Sequence, residues 1–243
     1  MFKRILKIFR HPKKAWRFLS CFLYHFFRKR KGTLVMVGIE PGGVLSLMHW
    51  GYEKCFGFEA NPERFEKLKK KYGHFKNISL YNVAVAEYDG EITFHISSNN
   101  NGASSSIGTF KDDWQHVYNG EQVRMVKEIT VPCIVLGNFL LKNNVSFIDD
   151  YISDIQGMDL AVLKTLKPLI DGKKIGSITC EVAANNKGNV YNNLPDNSES
   201  GFSELLSNNY TLVAKGWGVL KDNTFDLIPS DAWEIDCKWR VKQ

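Results

Sequence analysis

The stretch LVMVGIEPGG, residues 34–43, is the part of the sequence from which the fold can be inferred. Leu34–Val37 is a short apolar run that stops at glycines, a pattern typical of a buried parallel strand. A glycine turn at the end of a first strand lets the backbone approach a nucleotide-like ligand. Glycine turns are also common after strands, so a plain turn is the alternative.

A second apolar run, Cys55–Phe58, ends at Glu59, which lies 21 residues after Gly38. An acid at this offset is placed to accept hydrogen bonds from both hydroxyls of a ribose. The alternative is a surface carboxylate beside a helix start, because Asn61 and Pro62 are typical of a helix N-terminus. The glycine spacing G-x-x-x-G-G is poor for the pyrophosphate of NAD and acceptable for S-adenosylmethionine (SAM), which has none.

Strand and helix patterns alternate along the rest of the chain. Helices are predicted at Glu63–Tyr72, Gly137–Asn143, Leu160–Leu169 and Ser203–Asn208. Strands are predicted at Ile78–Val85, Glu91–Ile96, Val126–Val131, Phe147–Ile152 and Ile175–Val182. Alternation of this kind predicts an α/β fold with a mainly parallel sheet. A late hairpin, Tyr210–Lys215 with Phe225–Pro229, predicts an antiparallel edge.

Charge is distributed unevenly over the 243 residues. Residues 1–31 carry eleven Lys or Arg and no acid, whereas residues 32–243 carry 21 basic and 26 acidic side chains, a net of −5. This contrast predicts a basic N-terminal segment, 1–31, followed by one domain, 32–243. An acidic body argues against nucleic acid as a partner, because phosphate binding requires a basic face on the fold.

The first thirty residues combine apolar and basic side chains. Phe2–Phe9 has helical apolar spacing, and Trp16–Phe27 is rich in aromatics and is followed by Arg28–Lys31. The apolar run is too short to cross a bilayer, which needs about 20 residues. An interfacial helix on an anionic membrane is one interpretation. A helix packed on the domain, or one that binds a partner, is the other.

The five cysteines are widely spaced and form no CxxC pair. This pattern argues against a disulfide framework or a zinc site and favours a reducing compartment. The expected location is therefore cytoplasmic, with possible peripheral attachment to the inner face of the membrane.

The sequence resembles the FkbM-type methyltransferases. Their pattern runs V-G-A-N-x-G, F-E-P-N-P, D-G-E-I, G-x-S-S, V-P-x-x-x-L and I-D-x-x-G-x-x-x-x-V-L-K. The matching blocks here are Val37–Gly42, Phe58–Pro62, Asp89–Ile92, Gly102–Ser106, Val131–Pro132 and Asp154–Lys164. The resemblance covers residues 33 to 183, and its last block is the most specific.

The resemblance implies a Rossmann-like SAM methyltransferase fold with a seven-stranded sheet, and methyl transfer to a hydroxyl of a sugar or natural product. By position, it implies that Gly38, Glu40 and Gly42 line the methionine end of SAM. Glu59 would bind the ribose.

The adenine would pass the loop at Ala86 and Glu87. Three positions depart from the family pattern: Met36 replaces an acid, Ile39-Glu40 replaces Ala-Asn, and Ser153 replaces a lysine.

Two carboxylates are the candidates for catalysis. Asp154 follows the fourth strand and is the first choice for a base or acceptor-positioning residue, with helix capping ahead of Gly157 as the alternative. Glu181 closes the fifth strand and is either a substrate contact or an ordinary strand-end acid. No metal ligands are assigned. Asp149 and Asp150, together with Asp154, are the carboxylates that could supply oxygen ligands to a divalent cation.

Three functions are compatible with these features. The leading one is O-methylation of a saccharide or lipid-linked glycan. The second is a catalytically inactive SAM-fold module that acts in binding or scaffolding, which the departures at Met36 and Ile39 motivate. An RNA methyltransferase is disfavoured by the acidic body.

Overall fold

Seven strands form the main sheet, in the order β3-β2-β1-β10-β11-β14-β13. Their bounds are β1 Thr33–Val37, β2 Lys54–Phe58, β3 Ile78–Tyr81, β10 Ile148–Ser153, β11 Ile175–Ala183, β13 Tyr210–Gly216 and β14 Glu234–Val241. The pairs from β3 to β11 are parallel, and β14 is antiparallel to both of its neighbours. The predicted seven-stranded, mainly parallel sheet with an antiparallel closing pair is confirmed. This computed structural model describes residues 12–41, 43–184, 188–216, 228 and 232–243.

Both faces of the sheet are buried, which explains the unbroken apolar run of β1. Val35 and Val37 pack into a large core with Tyr151, Ile178 and other strand residues. Leu34 and Met36 point to the opposite face and pack into a second core. Successive strand residues face opposite sides, so a strand covered on both faces needs an apolar residue at every position.

Seven helices are present in the described residues. They are α1 Pro12–Phe27, α2 Leu45–Met48, α3 Pro62–Tyr72, α4 Leu136–Lys142, α5 Asp159–Lys164, α6 Lys167–Asp171 and α7 Glu199–Leu206. A short 3-10 turn, His49–Gly51, follows α2. The start of α3 is as predicted: the Asn61 side chain accepts hydrogen bonds from the N–H groups of Glu63 and Arg64.

A small second sheet is inserted between β3 and α4. It has the order β4-β9-β5, formed by Ala84–Ala86, Met125–Val135 and Gly90–Ser97. Two further strand pairs complete this region: β6 Thr109–Phe110 with β12 Tyr191–Asn192, and β7 Val117–Tyr118 with β8 Glu121–Gln122. The predicted strand Ile78–Val85 is therefore divided between two sheets.

Two further predicted elements differ from the structure. The strand expected at Val126–Val131 continues through Pro132, where pairing with β4 has not yet begun; that pairing starts at Cys133. Proline is tolerated in a strand where no ladder bond from its nitrogen is required. The helix expected at Leu160–Leu169 is two helices, because Pro168 lacks an N–H and its ring would clash with the carbonyl of Lys164.

The closing pair of strands also differs in its second member. β13 pairs with Glu234–Val241, whereas the predicted partner, Phe225–Pro229, lies outside the described residues apart from Ile228. Trp217 lies outside them as well, as do the apolar positions of Phe2–Phe9.

Helix α1 packs on the body of the protein by one side only. Cys21 and His25 are buried, and the His25 ring lies 5.5 Å from that of Tyr52. Among the side chains of this helix that the structure describes, six large apolar ones are exposed: Trp16, Leu19, Leu23, Tyr24, Phe26 and Phe27. Within the described part of the chain, no helix is long and apolar enough to cross a membrane. The boundary between segments 1–31 and 32–243 stays a prediction.

Candidate active site

A cavity lies at the carboxyl ends of β1, β2 and β10, where the chain changes direction across the sheet. This switch point is where open α/β sheets bind ligands. Gly38 follows β1 with φ +74°, and a Cβ placed on it would lie 1.8 Å from the carbonyl oxygen of Asp154. Only glycine allows the turns after β1 and β10 to approach this closely.

Glu59 is buried at the end of β2, facing this cavity. One carboxylate oxygen accepts a hydrogen bond from the Asn61 N–H at 2.8 Å, and the other lies 3.5 Å from Nε of Arg64. Burial raises the pKa of Glu59 to about 7, and the nearby Arg64 charge and backbone donors offset only part of that shift. The carboxyl is therefore positioned by the protein and gains from further hydrogen-bond donors.

The cavity beside Glu59 has an apolar as well as a polar lining. Its apolar wall is formed by Phe58, Val83, Val85, Phe94, Ile107 and Met158. Glycine at the turn, a carboxylate able to accept hydroxyl donors and an apolar wall for a flat ring are the features that SAM requires. The residues present therefore fit this cofactor.

Asp154 and Glu181 form a carboxyl pair joined by one amide. Nε2 of Gln156 donates to Asp154 at 2.6 Å and to Glu181 at 2.7 Å. The oxygen of the same amide accepts a hydrogen bond from Tyr191 at 2.6 Å. The backbone carbonyl of Gln156 accepts another from Ser106 at 2.8 Å. The two protons of the Gln156 amide nitrogen are thus both donated to the two acids, and the amide oxygen is held by Tyr191.

Burial raises the pKa of both acids in the pair. The Asp154 pKa is above its usual value chiefly because the protein around the carboxyl removes water from it, although the side chain is exposed towards the two cavities. The Glu181 pKa is raised well above its usual value, first by burial and then by the negative charge of Asp154. Two close carboxyls with raised pKa values hold a proton between them more readily than isolated ones.

A second, wider cleft adjoins the first and shares Ala103, Asp154 and Gln156 with it. We call it the acceptor cleft. Its other lining residues are Ser104, Trp114, Gln115, His116, Glu181, Ala232, Trp233, Glu234, Ile235 and Asp236. Asp154 therefore lies at the junction between a cavity suited to a nucleotide-like ligand and an open cleft lined with aromatic and acidic residues.

The loop at Asn99–Ser106 forms the wall between the two cavities. Gly102 and Ser105 line the first, Ser104 lines the second, and Ala103 lines both. Hydrogen bonds hold the loop: the amide nitrogen of Asn99 donates to Ser104 at 2.9 Å, and the Ser105 hydroxyl donates to the Gly102 carbonyl at 2.8 Å.

Most of the residues assigned from sequence meet at this junction. Gly38, Glu40, Glu59 and Asp154 line the first cavity, and Glu181 lines the acceptor cleft. Gly42 lies outside the described residues.

The positions assigned to the adenine lie elsewhere. Ala86 packs in the core of the small sheet, and Glu87 is exposed. The residues just before them, Val83, Ala84 and Val85, line the cavity instead.

The residues of the site that were not anticipated include Gln156, Arg64 and Tyr191. Gln156 lies within the D-x-x-G block, but its sequence position does not reveal that its amide joins two acids. Its backbone has φ +55°, which is unusual for a residue other than glycine and fits a functional turn. His116, which the sequence gave no reason to place in a site, lies in the wall of the acceptor cleft.

The three departures from the family pattern are absorbed without blocking the cavity. Met36 is buried in the second core, as is Ile39, whose side chain occupies the space beside Gly57. The Ser153 hydroxyl donates to buried Asp159 at the turn into α5.

The acids at the start of β10 do not reach the site. Asp149 accepts a hydrogen bond from the Thr33 N–H, and Asp150 accepts from Tyr52 and Ser177. Asp150 precedes Asp154 by four positions and Asp149 by five, roughly 13 Å and 17 Å along an extended strand. Among the described residues, no group of three or more His, Cys, Asp or Glu is arranged to hold a metal ion. The five cysteines are free and buried.

The sheet order and the glycine–glutamate cavity define a Rossmann-like protein of the SAM-binding class. The methyltransferase FkbM domain matches residues 20–208, most of the chain. The chain therefore belongs to the FkbM methyltransferase family, and it is a methyltransferase whose cofactor is SAM. The match begins within α1.

Solved structures with this fold resemble the chain only distantly. The N-methyltransferase NodS from Bradyrhizobium japonicum WM9 has a TM-score of 0.45 and 9% identity, covering 96% of this chain and 98% of its own. An rRNA methylase from Streptococcus thermophilus has a TM-score of 0.46 and 9% identity, covering 93% of this chain and 95% of its own. The magnesium protoporphyrin IX methyltransferase ChlM from Synechocystis PCC 6803, solved with SAM, has a TM-score of 0.44 and 10% identity, covering 94% of this chain and 76% of its own.

At TM-scores this low, the assignment rests on the family match and the chain's own sheet order. No curated protein matches the sequence significantly.

Proposed function

We propose that this protein transfers a methyl group to a hydroxyl oxygen of a saccharide, including lipid-linked glycans. The observation that carries the proposal is the position of Asp154, which lines both the SAM-type cavity and the acceptor cleft. A group that touches both spaces can act on a proton at the point where cofactor and acceptor meet.

The residues assigned to the cofactor are those of the first cavity. Glu59 would bind the ribose hydroxyls, the turn at Gly38 and Glu40 would face the methionine end, and the apolar wall would enclose the adenine. When bound, SAM supplies a methyl group that is activated by the positive charge on its sulfur.

The chain's own contribution to the reaction is orientation and proton removal. Asp154 would accept the proton of the acceptor hydroxyl, which makes the oxygen a better nucleophile. Glu181, held 2.7 Å from the same Gln156 amide, can share that proton. Trp114 and Trp233 line the acceptor cleft and give it aromatic surface against which the apolar side of a sugar can pack.

We also propose that α1 lies on an anionic membrane surface. Its exposed apolar side chains include Trp16 and Phe27, which are 67% and 77% exposed, and Lys29, Arg30 and Lys31 follow at once. Apolar side chains enter the interface while cations attract anionic lipid headgroups, with about 1 kcal/mol per basic residue near the surface. A membrane-bound enzyme would meet lipid-linked acceptors directly, with its catalytic body in the cytoplasm.

The first experiment is a calorimetric titration of the full-length protein with SAM. We expect micromolar binding that Glu59→Ala weakens at least tenfold, because the buried carboxylate contributes charge-assisted hydrogen bonds of about 1.5–3 kcal/mol. Glu66→Ala removes an exposed acid from α3, the helix that follows Glu59; it is the matched control and should bind as the wild type does.

The second stage offers labelled SAM and a panel of saccharide extracts. Transfer of label to a saccharide, lost in Asp154→Asn while SAM binding is kept, is the expected result. Binding of SAM without transfer to any saccharide would contradict the proposed acceptor and support the inactive binding module instead.

A further inference from the structure

Every polar atom of the Gln156 side chain has a partner at the junction of the two cavities. The amide nitrogen donates to Asp154 at 2.6 Å and to Glu181 at 2.7 Å, and the amide oxygen accepts from Tyr191 at 2.6 Å. The reversed amide would place its oxygen between two carboxyl groups, which are acceptors when ionised. The three hydrogen bonds therefore favour one orientation of the amide.

The backbone of Gln156 is held by two other segments of the chain. Its φ is +55°, and Gly157 follows with φ +95°. The Gln156 carbonyl accepts a hydrogen bond from the Ser106 hydroxyl at 2.8 Å, and the Gly157 carbonyl accepts one from the Asn189 amide at 3.1 Å. A residue other than glycine keeps a left-handed conformation only where its surroundings impose it. The turn therefore presents the Gln156 amide to the two acids in a set position.

Tyr191, which holds the amide oxygen, is itself fixed by packing. Its side chain is buried, and it pairs across β12 and β6 with Phe110, whose ring lies 5.4 Å from its own. The Phe110 ring stacks in turn on Trp114, with 4.3 Å between the ring centroids, and Trp114 lines the acceptor cleft. The amide is thus tied through packed rings to the wall of that cleft.

The hydrogen bonds from Gln156 matter because the acids are buried. Burial raises the pKa of Asp154, and the hydrogen bond from Gln156 is the largest of the contacts that lower it. A hydrogen bond donated to a carboxylate favours its charged form. The other ionisable groups around the pair come from the ends of β1 and β2, from α3 and α5, from β14 and from the cleft wall: Glu40, Glu59, Arg64, Asp159, Glu234, Asp236 and His116. Most of these are acids, which oppose ionisation of the pair.

We propose that Gln156 is a positioning residue for methyl transfer, whose amide aims the Asp154 carboxyl at the acceptor hydroxyl and keeps its ionised form available as the base. This inference rests on the proposed function and adds the residue that controls the base. Gln156 bonds Oδ1 of Asp154, so Oδ2 is the oxygen assigned to the hydroxyl proton. A carboxyl side chain in the place of the amide could donate at most one hydrogen bond, and only while protonated.

The test follows the protonation of Asp154 directly and needs no acceptor. The full-length protein, isotope-labelled at the aspartate γ-carbons, is titrated by NMR from acidic to alkaline pH, and Asp154→Asn identifies the signal by its loss. Gln156→Met removes both donated hydrogen bonds without adding a charge and keeps the length of the side chain. We expect the midpoint of the Asp154 titration to move upward by about one pH unit or more.

A second variant and a control locate the effect. Tyr191→Phe removes the hydroxyl that holds the amide oxygen and keeps the ring, so it tests the same link if Gln156→Met folds poorly. It should move the Asp154 midpoint in the same direction by a smaller amount. Gln122→Met, at an exposed position of β8, is the matched control and should leave the midpoint unchanged.

Methyl transfer gives a second readout, on a saccharide extract that the wild type labels. Near neutral pH, Gln156→Met should lower kcat at least about tenfold and change KM for SAM by less than about twofold, because misplacing a base costs rate rather than cofactor binding. The loss should be smaller at higher pH, where Asp154 regains its charge. A merely structural role would give the same loss at every pH.

Failure of this inference and failure of the proposed function give different results. An Asp154 midpoint that stays unchanged in both Gln156→Met and Tyr191→Phe would overturn the inference, and methyl transfer to saccharides would still stand. A raised midpoint without transfer to any saccharide would contradict the proposed acceptor alone, and it would support the control of Asp154 by Gln156.

Discussion

Single residues explain both what sequence reasoning found and what it missed. Glu59 was predictable because its offset from Gly38 reflects the length of one β-α-β step. Gln156 was not, because its role depends on Asp154, Glu181 and Tyr191 meeting in space. The positions assigned to the adenine were inferred by counting residues after a strand, and β4 carries Ala86 into the core of the small sheet.

The turn at Gly38 supports a prediction about stability. Gly38→Ala adds a Cβ that would lie 1.8 Å from the Asp154 carbonyl oxygen, at a φ of +74° that L-residues rarely adopt. We expect the free energy of unfolding to fall by at least about 3 kcal/mol, from strain and displacement of the turn after β10. Urea denaturation measures it.

The matched control for this substitution is Gly120→Ala. Gly120 has a similar φ of +85° but nothing within 4 Å of the added atom, so it reports the backbone term alone, about 1 kcal/mol. Equal losses at both positions would show that the close approach of the two turns contributes nothing to stability.

Among the elements, strands and helices with strong local patterns were predicted within a few residues. Helix α3 matches its prediction because a capping asparagine, a proline and an amphipathic run all favour the same start. The inserted sheet β4-β9-β5 was not predicted, because assigning a strand to one sheet or another depends on long-range pairing. The continuation of β9 through Pro132 was not predicted for the same reason. Only the pairing of the strands shows which positions need an N–H.

Helix α1 gives the prediction that belongs to this scale. The full-length protein should sediment with vesicles that contain phosphatidylglycerol, and less with neutral phosphatidylcholine vesicles. Trp16→Ser with Phe27→Ser should weaken binding at least tenfold, because both side chains are largely exposed and would leave the interface. Leu141→Ser removes an equally exposed apolar side chain on α4 and should have no effect. Equal binding to both vesicle types would contradict the proposed surface.

At the level of the whole molecule, the seven-stranded sheet was implied by the family resemblance, and the alternating pattern predicted its parallel core. The two buried faces follow from β1 alone, where Leu34–Val37 are all apolar because each face is covered. The position of Asp154 between two adjoining cavities could not be inferred, because the second cavity depends on β14 lying against β11. The acids of that strand are more than seventy positions from Asp154 in sequence.

Gathering so many acids in one fold has a cost that depends on pH. Burial raises the pKa of Glu59 to about 7, that of Asp159 to about 8 and that of Glu234 to about 8. The folded state therefore binds more protons than the unfolded chain, and the free energy of unfolding should fall as pH rises towards 8. His49, whose pKa burial lowers to about 4, acts in the opposite direction, but only below about pH 6.5.

Between pH 6.5 and pH 8 the acids consequently act alone among these four groups. We expect a loss of stability on the order of 1–3 kcal/mol over that range, measured by urea denaturation at each pH. Asp159→Asn should make the slope shallower, because the amide oxygen can still accept the Ser153 hydroxyl while nothing at that position ionises. Asp171→Asn, an exposed partner of Lys167, should leave the slope unchanged. A stability that stays level or rises from pH 6.5 to 8 would mean that these carboxyls are ionised in the folded protein.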